Sequence, residues 1–136
     1  MSRLEVPVIV IVIGEGSSGG ALAIGVGDTV IMLENAIYSI LSPEGYASIL
    51  WKDSSRAEEA SKIMKLTAED LYELNVIDKV IEEPEGGADK DINSMSEKIK
   101  EEIVKETKKL SIISKDALLE KRYQKFRNMG QYEEVI

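Results

Sequence analysis

The amino-acid sequence predicts an α/β fold, and three observations carry this prediction. Residues 6–13 form a continuous apolar, mostly β-branched run, which is typical of a strand covered on both faces. Ser42-Pro43-Glu44 is a strong helix start, because a hydroxyl N-cap precedes a proline at the first helical position. Apolar side chains at helical spacing between Met95 and Leu110 indicate a long helix. The length of 136 residues fits one domain.

The other elements are predicted from local signals. Thr67 has an acid three residues later, and Ser94 and Glu97 form a capping box, so a helix is expected to begin at each place. Further helices are predicted at 19–26, 43 to about 51, 55–64 and 115–128, and further strands at 29–33, 36–41 and 76–81. The apolar stripe of the long helix is predicted to be Met95, Ile99, Ile103, Thr107 and Leu110. Few strands remain to flank residues 6–13, so the sequence looks like part of a larger fold.

Charge and composition argue against several classes of function. The 25 acidic and 17 basic residues give a formal net charge of -8, which repels nucleic-acid phosphates and anionic lipid surfaces. No cysteine occurs, which excludes disulfides and thiolate chemistry and is compatible with the cytoplasm. No histidine occurs either, so the commonest general base and metal ligand is missing. We therefore expect a cytoplasmic protein with no nucleic-acid, membrane or metal partner.

The segment Gly14-Glu15-Gly16-Ser17-Ser18-Gly19-Gly20 fits three functional patterns. As G-x-G-x-x-G with Glu34 downstream it matches a dinucleotide-binding turn, but the helix after it is short and interrupted by glycines. As G-x-S-x-G it matches a nucleophile elbow at Ser18, but no histidine can act as its base. The third interpretation is an oxyanion hole, in which unpaired N–H groups of a helix start hold a developing negative charge. A purely structural turn, in which Gly19 and Gly20 only permit close packing, stays open.

Other polar residues near the turn have simpler interpretations. Ser18 is better interpreted as a helix N-cap or an anion-contacting hydroxyl than as a nucleophile. Glu15 and Glu34 are the acids nearest the turn in sequence. Either could orient a group or receive a proton, but a solvated or salt-bridged role is favoured for both.

A long series of short segments gives the sequence a family resemblance. They are the stretch from Val6-Pro7-Val8 through Gly14-Glu15-Gly16, the run from Ser18 to Asp28, Met32 to Ser39, Ser42-Pro43-Glu44-Gly45, Ile49-Leu50-Trp51-Lys52, Lys65-Leu66-Thr67-Ala68, Ile77-Asp78, Glu83-Pro84, Gly86-Gly87-Ala88, Arg122-Tyr123 and Lys125-Phe126-Arg127. In these segments the sequence resembles the α subunits of the bacterial acetyl-CoA carboxylase carboxyltransferase. The resemblance covers nearly the whole chain, and so many matches in order make it specific.

The resemblance implies a crotonase-like fold, a superhelix of repeated ββα units of which this chain would be the C-terminal portion. Residues 1–90 would form a partial carboxyltransferase core, and residues 91–136 a helical C-terminal extension. The implied reaction transfers a carboxyl group from carboxybiotin to acetyl-CoA and forms malonyl-CoA. The implied partners are the carboxyltransferase β subunit in an α2β2 assembly, the biotin carboxyl carrier protein and biotin carboxylase.

The resemblance also assigns roles within the glycine-rich segment. In the family each active site lies between an α and a β subunit, and a pair of glycines that matches Gly19 and Gly20 supplies amides that stabilise the biotin enolate. Gly16, Ser17 and Ser18 are then expected to bind substrate. The family needs no metal in this subunit, and none is expected here.

Two residues and the length depart from the family pattern. Ser17 stands where the family usually has glycine, and Tyr46, where a small residue is usual, could simply fill space. The family's chain extends well upstream of Met1, so we expect a truncated form or a remnant that does not carboxylate acetyl-CoA on its own. The alternative function is a non-catalytic crotonase-like fragment that acts only in assembly with partner subunits.

A basic cluster in this acidic chain has two interpretations. It could meet the phosphates of coenzyme A, or it could complement the dipole of the last helix, and the second interpretation is favoured because cations near a helix C-terminus need no ligand. The cluster consists of Lys121, Arg122, Lys125 and Arg127.

Overall fold

The structure, a computed structural model, describes residues 1–130 and has a mixed α/β fold, as the sequence predicts. Two small parallel sheets are present. The larger sheet has the strand order β1-β3-β5, with β1 at Ile9–Val12, β3 at Thr29–Leu33 and β5 at Lys79–Ile81. The smaller sheet pairs β2, Glu15–Ser17, with β4, Ile37–Ser39.

Helices connect and follow these strands. The α-helices are α1 at Ser18–Ile24, α2 at Pro43–Trp51, α3 at Ala57–Met64, α4 at Ala68–Glu73, α5 at Ile92–Ser111 and α6 at Lys115–Arg127. Short 3-10 helices lie at Ser54–Arg56 and Ala88–Lys90. Apart from β2, each strand and α-helix lies in or beside a segment predicted from the sequence.

Strand β3 is the centre of the core. All five of its residues are buried, and β1 and β5 pair with it on its two sides. Ile31, for example, lies opposite Ile11 of β1 and Lys79 of β5. The buried residues packed around this strand are Val12, Ala36, Ala68, Leu71, Ile77, Ile81 and Met95. Because Met95 belongs to α5, that helix packs on the same core, and the domain boundary predicted near residue 90 stays a prediction.

The first strand corrects the expectation that residues 6–13 are buried on both faces. The strand spans only Ile9–Val12, its first three residues are half-buried, and Ile13 beyond it is 69% exposed. Within residues 1–130, β1 lies at the edge of its sheet and has a strand partner on one side only. A continuous apolar run indicates that both faces of a strand can be buried, but burial also requires other elements that pack on those faces.

Helix starts follow the capping signals at two of three predicted places. The Ser42 hydroxyl accepts a hydrogen bond from Gly45 N–H at 3.2 Å, and the Thr67 hydroxyl accepts one from Asp70 N–H at 3.3 Å. The capping box that begins at Ser94 is wrong. Helix α5 starts earlier, with Asp91 as its N-cap, whose carboxylate accepts from Ser94 N–H at 3.0 Å. Aspartate is as good an N-cap as serine, so the earlier residue takes the role.

The predicted apolar stripe of α5 is confirmed only in part. Its buried or half-buried members are Met95, Ile99 and Leu110, and its exposed members are Ile103 and Thr107. Glu106 is buried instead, and its carboxylate accepts a hydrogen bond from the Thr29 hydroxyl at 3.1 Å. Lys109 pairs with the same carboxylate at 3.2 Å. The Thr29 hydroxyl and Lys109 offset the free-energy cost of burying the Glu106 carboxylate. This carboxylate lies on the face of α5 that the spacing assigned to apolar residues.

Charged side chains fix the edge of the larger sheet at which the strands begin. Asp28 precedes β3 and Asp78 precedes β5. Arg122 of α6 is only 2% exposed, and its Nε and Nη2 donate to the Asp28 carboxylate at 2.9 and 2.7 Å. Lys125 pairs with the Asp78 carboxylate and donates to the main-chain carbonyl oxygen of Asp28. We call these four residues, Asp28, Asp78, Arg122 and Lys125, the amino-edge cluster.

Arg122 also holds the segment that leads into β1. Its guanidinium donates to the main-chain carbonyl oxygens of Met1, Ser2, Leu4 and Val6. Asp28 helps from the other side, because its carboxylate accepts a hydrogen bond from Val8 N–H at 2.7 Å. One buried ion pair therefore joins α6, the start of β3 and the chain before β1.

The amino-edge cluster bears on both interpretations of the basic residues in α6. Arg122 and Lys125 are occupied by Asp28 and Asp78, which lie 94 and 47 residues away in the sequence. These pairs argue against a phosphate-binding role for the two residues, whereas Lys125 and Arg127 do lie in the last turn of α6, as the helix-dipole interpretation expects. Lys121 and Arg127 lie exposed on the same helix.

Candidate functional site

The glycine-rich segment is partly a strand, which sequence reasoning missed. Glu15–Ser17 forms β2 and pairs in parallel with β4, so that Gly16 lies opposite Tyr38. Ile37 N–H reinforces this pairing by donating to the Gly14 carbonyl oxygen at 2.9 Å. Glycine is disfavoured in strands, and the partner strand lies far along the chain, so no local signal marks the pairing.

The chain turns from β2 into α1 at two serines. Ser17 is the N-cap residue, and its side chain makes no cap hydrogen bond with the described residues. Its backbone is extended, with φ -140°, a conformation that any residue adopts, so a serine fits where the resemblance expects glycine. Ser18 begins the helix with φ 59°, in the left-handed region that favours glycine. The N-cap role predicted for Ser18 is therefore wrong, because the preceding residue occupies that position.

The space beside Gly19 and Gly20 is open. A Cβ atom placed on either residue would meet no described atom outside α1 and the neighbouring residues within 4 Å, and neither residue has a positive φ. Neither packing nor backbone conformation in the described chain therefore requires glycine at these positions. This finding contradicts the interpretation in which they only permit close packing. It leaves room for a ligand or another polypeptide to approach the backbone.

Gly19 and Gly20 also carry N–H groups that can act as donors. Both residues are exposed and lie in the first turn of α1, where a helix leaves its N–H groups without an intrahelical acceptor. Two neighbouring N–H groups without an intrahelical acceptor can hold an oxygen that carries negative charge. The predicted catalytic pair is thus accessible.

Gly16 and Gly25 have a different reason to be glycine, because the ring of Tyr38 fills the space beside them. A Cβ atom on Gly16 would lie 2.8 Å from Cδ2 of Tyr38, and one on Gly25 would collide with the Tyr38 hydroxyl. That hydroxyl donates to the Ala21 carbonyl oxygen of α1 at 3.0 Å. Partial burial raises the pKa of the Tyr38 phenol above its ordinary value, so the group remains a donor at neutral pH.

A cleft of about 400 Å³ opens along the turn. Its lining includes Ile11, Ile13, Glu15, Gly20, Ile24 and Tyr38. The open edge of β1 forms one wall, and two of its lining side chains, Ile13 and Ile24, are 69% and 64% exposed. The volume lies in the range of small-molecule sites, about 300 to 1,000 Å³. The cleft therefore brings Gly20, one of the two predicted donor residues, together with apolar walls.

The acids near the turn differ in their surroundings. Glu15 is exposed at the cleft, whereas Glu34 accepts a hydrogen bond from Glu83 N–H at 3.0 Å at the opposite edge from the amino-edge cluster. Glu83 in turn accepts from Asn35 N–H at 3.0 Å and from Ala88 N–H at 2.7 Å. Burial alone would raise the pKa of Glu83, but these hydrogen bonds outweigh it and hold the pKa below its ordinary value. Glu34 therefore joins two strand ends through a hydrogen bond to backbone, rather than through a salt bridge.

The two other patterns in the segment gain no support from this geometry. A dinucleotide site needs a free acid at the ribose, but Glu34 is bonded to the neighbouring strand end, and α1 is only seven residues long. The left-handed backbone of Ser18 resembles that of an elbow nucleophile, yet the sequence has no histidine to serve as its base.

Three further findings bear on the predicted site. Tyr46 lies on α2, with its ring edge-on to Trp51 at 6.0 Å between centroids, and it lines an apolar cavity of about 360 Å³, so its space-filling role stays a prediction. Across residues 1–130, no group of three or more acidic, histidine or cysteine side chains is placed to hold a metal ion. In that same described part of the chain, no helix has the length and apolar character needed to cross a membrane.

Comparison with known proteins gives a consistent result. Residues 1–130 match the family model described as acetyl co-enzyme A carboxylase carboxyltransferase-like. The chain is 55% identical over 97% of its length to the acetyl-coenzyme A carboxylase carboxyl transferase subunit alpha of Clostridium acetobutylicum. It is 59% identical over 93% of its length to the subunit alpha of Clostridium perfringens. It is also 58% identical over 97% of its length to a protein of Natranaerobius thermophilus named as subunits beta/alpha.

The matched relatives are longer than this chain. The chain spans 48% of the Clostridium acetobutylicum subunit and 46% of the Clostridium perfringens subunit, about half of each. It spans 22% of the Natranaerobius thermophilus protein.

Proposed function

The chain belongs to the acetyl co-enzyme A carboxylase carboxyltransferase-like family, and we propose that it forms part of the α subunit of a carboxyltransferase that makes malonyl-CoA. The proposed reaction moves a carboxyl group from carboxybiotin to acetyl-CoA. The observation that carries the proposal is the open space beside Gly19 and Gly20, two exposed residues in the first turn of α1. This transfer develops charge on carbonyl oxygens and needs no protein nucleophile, which agrees with a sequence that has neither histidine nor cysteine.

The proposed role of Gly19 and Gly20 is to stabilise the biotin enolate. Their N–H groups donate to the carbonyl oxygen of the ureido ring, and the hydrogen bonds strengthen as negative charge builds on that oxygen when the carboxyl group leaves. Gly16, Ser17 and Ser18 lead the chain into the turn and contact the same substrate. The cleft of about 400 Å³ supports this role, since Gly20 lies in its lining together with apolar side chains.

The partners of the proposed subunit follow from the same function. A carboxyltransferase β subunit completes the site in an α2β2 assembly, with a second oxyanion hole for the acetyl-CoA enolate. Relatives that are named for both subunits in one chain support this pairing. A biotin carboxyl carrier protein presents the carboxybiotin, and biotin carboxylase forms it. The crotonase-like superhelix belongs to this proposal, and the mixed α/β fold with parallel strands is compatible with it.

The names of the relatives favour a carboxyltransferase subunit over a non-catalytic fragment that acts only in assembly. The open glycine pair also favours it, since a fragment with a purely structural role needs no exposed donors at that place.

The test is Gly20→Pro in an α subunit that contains this chain at full family length and is assembled with its β subunit. Proline removes one N–H donor, and the first turn of a helix tolerates it. No described atom beyond α1 lies where the ring would begin, so stability should change little. We expect kcat to fall about a hundredfold to a thousandfold, or about 3 to 4 kcal/mol, with little change in KM. Steady-state carboxyl transfer measures this, after circular dichroism shows that the variant is folded.

Ser18→Ala is the control. The Ser18 hydroxyl has no capping role, so its loss should change stability by no more than about 0.5 kcal/mol and leave most of the activity. A nucleophile would lose nearly all activity. A folded Gly20→Pro enzyme with normal kcat, or an inactive Ser18→Ala enzyme, would refute the backbone mechanism.

A further inference from the structure

Tyr38 touches both sides of the turn that carries Gly19 and Gly20. Before the turn, its backbone is paired with Gly16 of β2. After the turn, its hydroxyl donates to the Ala21 carbonyl oxygen of α1 at 3.0 Å. Its own strand is fixed separately, because Tyr38 N–H donates to the Leu66 carbonyl oxygen at 3.1 Å. One side chain therefore spans from the strand that enters the turn to the helix that leaves it.

The sequence makes room for this side chain. The ring lies against Gly16, and the hydroxyl lies against Gly25, at places where any Cβ atom would collide with it. Gly25 N–H donates to the same Ala21 carbonyl oxygen at 2.8 Å, so this oxygen has two donors at the end of α1. Gly16 and Gly25 leave space for the Tyr38 side chain, and the Ala21 carbonyl oxygen accepts from its hydroxyl. Together they fix the position of the ring.

The turn itself has little other support. Ser18 holds a left-handed backbone that a non-glycine residue adopts only with strain. Neither a cap hydrogen bond from the Ser17 side chain nor packing atoms beside Gly19 and Gly20 hold it within residues 1–130. A strained conformation persists only where the surrounding structure determines it. The contacts of Tyr38 with β2 before the turn and with α1 after it stabilise this backbone conformation.

We propose that Tyr38 is a positioning residue, which holds the Gly19 and Gly20 amides in place by bracing β2 against α1. The bracing is a property of this chain, whereas its effect on catalysis rests on the proposed function. Donors that hold a developing charge must be placed closely, and a displacement of about 1 Å can lower a rate about a hundredfold. The Tyr38 hydroxyl bonds to the residue that follows Gly20, so its loss removes the side-chain link between β4 and the start of α1, while Gly25 N–H still donates to the same oxygen.

The first experiment tests the brace in this 136-residue chain without any substrate. Tyr38→Phe deletes the hydroxyl and keeps the ring, and Tyr72→Phe is the matched control at a side chain that is 54% exposed. With 15N-glycine labelling, we expect Tyr38→Phe to shift the amide signals of Gly19 and Gly20. The signals of Gly86 and Gly87, in a separate loop, should stay unchanged, as should all of them in the control. Unchanged Gly19 and Gly20 signals in Tyr38→Phe overturn the proposal.

The second experiment measures the consequence in the assembled carboxyltransferase. We expect Tyr38→Phe to lower kcat on the order of tenfold with little change in KM, and Tyr38→Ala to lower it about a hundredfold. Tyr72→Phe should match the wild type. Normal kcat in Tyr38→Phe, together with a strongly impaired Gly20→Pro enzyme, overturns the positioning role alone. Normal kcat in Gly20→Pro refutes the proposed function, and the glycine signals then still decide whether Tyr38 braces the turn.

Discussion

The two ends of the larger sheet treat polar groups in opposite ways. Where the strands begin, the amino-edge cluster pairs its charges, and Arg122 is 2% exposed and bonds to two other parts of the chain, Asp28 and the segment before β1. Beyond the carboxyl end of β1, the glycine-rich turn exposes its backbone donors and leaves the space beside Gly19 and Gly20 open. The charged side chains of the amino-edge cluster are therefore paired within the protein, whereas the glycine-rich turn has exposed backbone donors.

This difference separates residues that hold the fold from those that are available for chemistry. Charged side chains attract attention in a sequence as candidate ligands, but here Arg122 and Lys125 of α6 are occupied by distant acids. Glycines attract less attention, yet two of them present the donors that a ligand can reach. The glycines also fall into two groups. The Tyr38 side chain lies beside Gly16 and Gly25, whereas the space beside Gly19 and Gly20 is open in the described chain.

The largest loss of stability is expected for Arg122→Ala. This change leaves the buried Asp28 carboxylate without its charge partner and removes the donors to four main-chain carbonyl oxygens. Breaking a buried pair in this way costs about 3 to 5 kcal/mol of unfolding free energy. Urea denaturation of the chain measures it, and a protein that no longer folds would be the extreme form of the same result.

Arg127→Ala is the matched control for that prediction. Arg127 is exposed at the end of the same helix, so its removal should change the unfolding free energy by no more than about 0.5 kcal/mol. If both variants lose the same small amount, the amino-edge cluster does not hold the fold and the comparison between the two ends fails.

The next largest loss is expected for Gly16→Ala. The added Cβ atom would lie 2.8 Å from Cδ2 of Tyr38 and 3.2 Å from Cγ1 of Val12, so neighbours on two sides must move. Overpacking of this kind costs about 1 to 3 kcal/mol. In a Tyr38→Leu background the same change should cost much less, because the ring is gone, and a double-mutant cycle in urea measures that coupling. Equal costs in both backgrounds would mean that the ring is not what requires glycine there.

The elements show which parts of this structure a sequence can reveal. Helix starts at Ser42 and Thr67 were predictable because the capping hydroxyl and the N–H group that donates to it lie within three residues. Strand β2 was not, since its only signal is a pairing with β4 far along the chain. The burial of residues 6–13 was predicted wrongly. An apolar pattern shows which surface favours burial, but it does not show whether other parts of the described chain pack against that surface.

The candidate site shows the same division. The glycine-rich turn was found from its motif, and the structure adds that its donors are accessible, while the catalytic role of Gly19 and Gly20 stays a prediction. Tyr38 was missed because its contacts with Gly16 and Ala21 span about twenty residues, and a lone tyrosine in an apolar strand carries no motif. The partners of Arg122 were missed for the same reason, since they lie 94 or more residues away.

A smaller, pH-dependent effect is expected for Glu83→Gln. Because hydrogen bonds hold the pKa of Glu83 below its value in the unfolded chain, its contribution to stability is complete above the unfolded pKa. The contribution is lost as the pH falls through the lower pKa of the folded state. We therefore expect Glu83→Gln to cost about 1 kcal/mol at pH 7 and progressively less below about pH 4. Urea denaturation across this range measures it, with exposed Glu85→Gln as the control, and a cost independent of pH would contradict the prediction.

The smallest effect on stability, and one of opposite sign, is expected for Gly19→Ala. Gly19 lies in a helix with negative φ, and the space beside it is open, so alanine fits without strain. Alanine restricts the unfolded chain more than glycine does, so the variant should be more stable by about 0.4 to 1 kcal/mol. In the assembled enzyme the new methyl group would stand beside the donors, and we expect kcat to fall on the order of tenfold as the substrate is displaced. Urea denaturation of the chain and steady-state carboxyl transfer by the assembly measure the two effects separately. A variant that gains stability and loses turnover would show that the site, and not the fold, requires glycine at this position. A loss of stability would contradict the prediction, because it would mean that the added methyl group collides with a neighbouring atom.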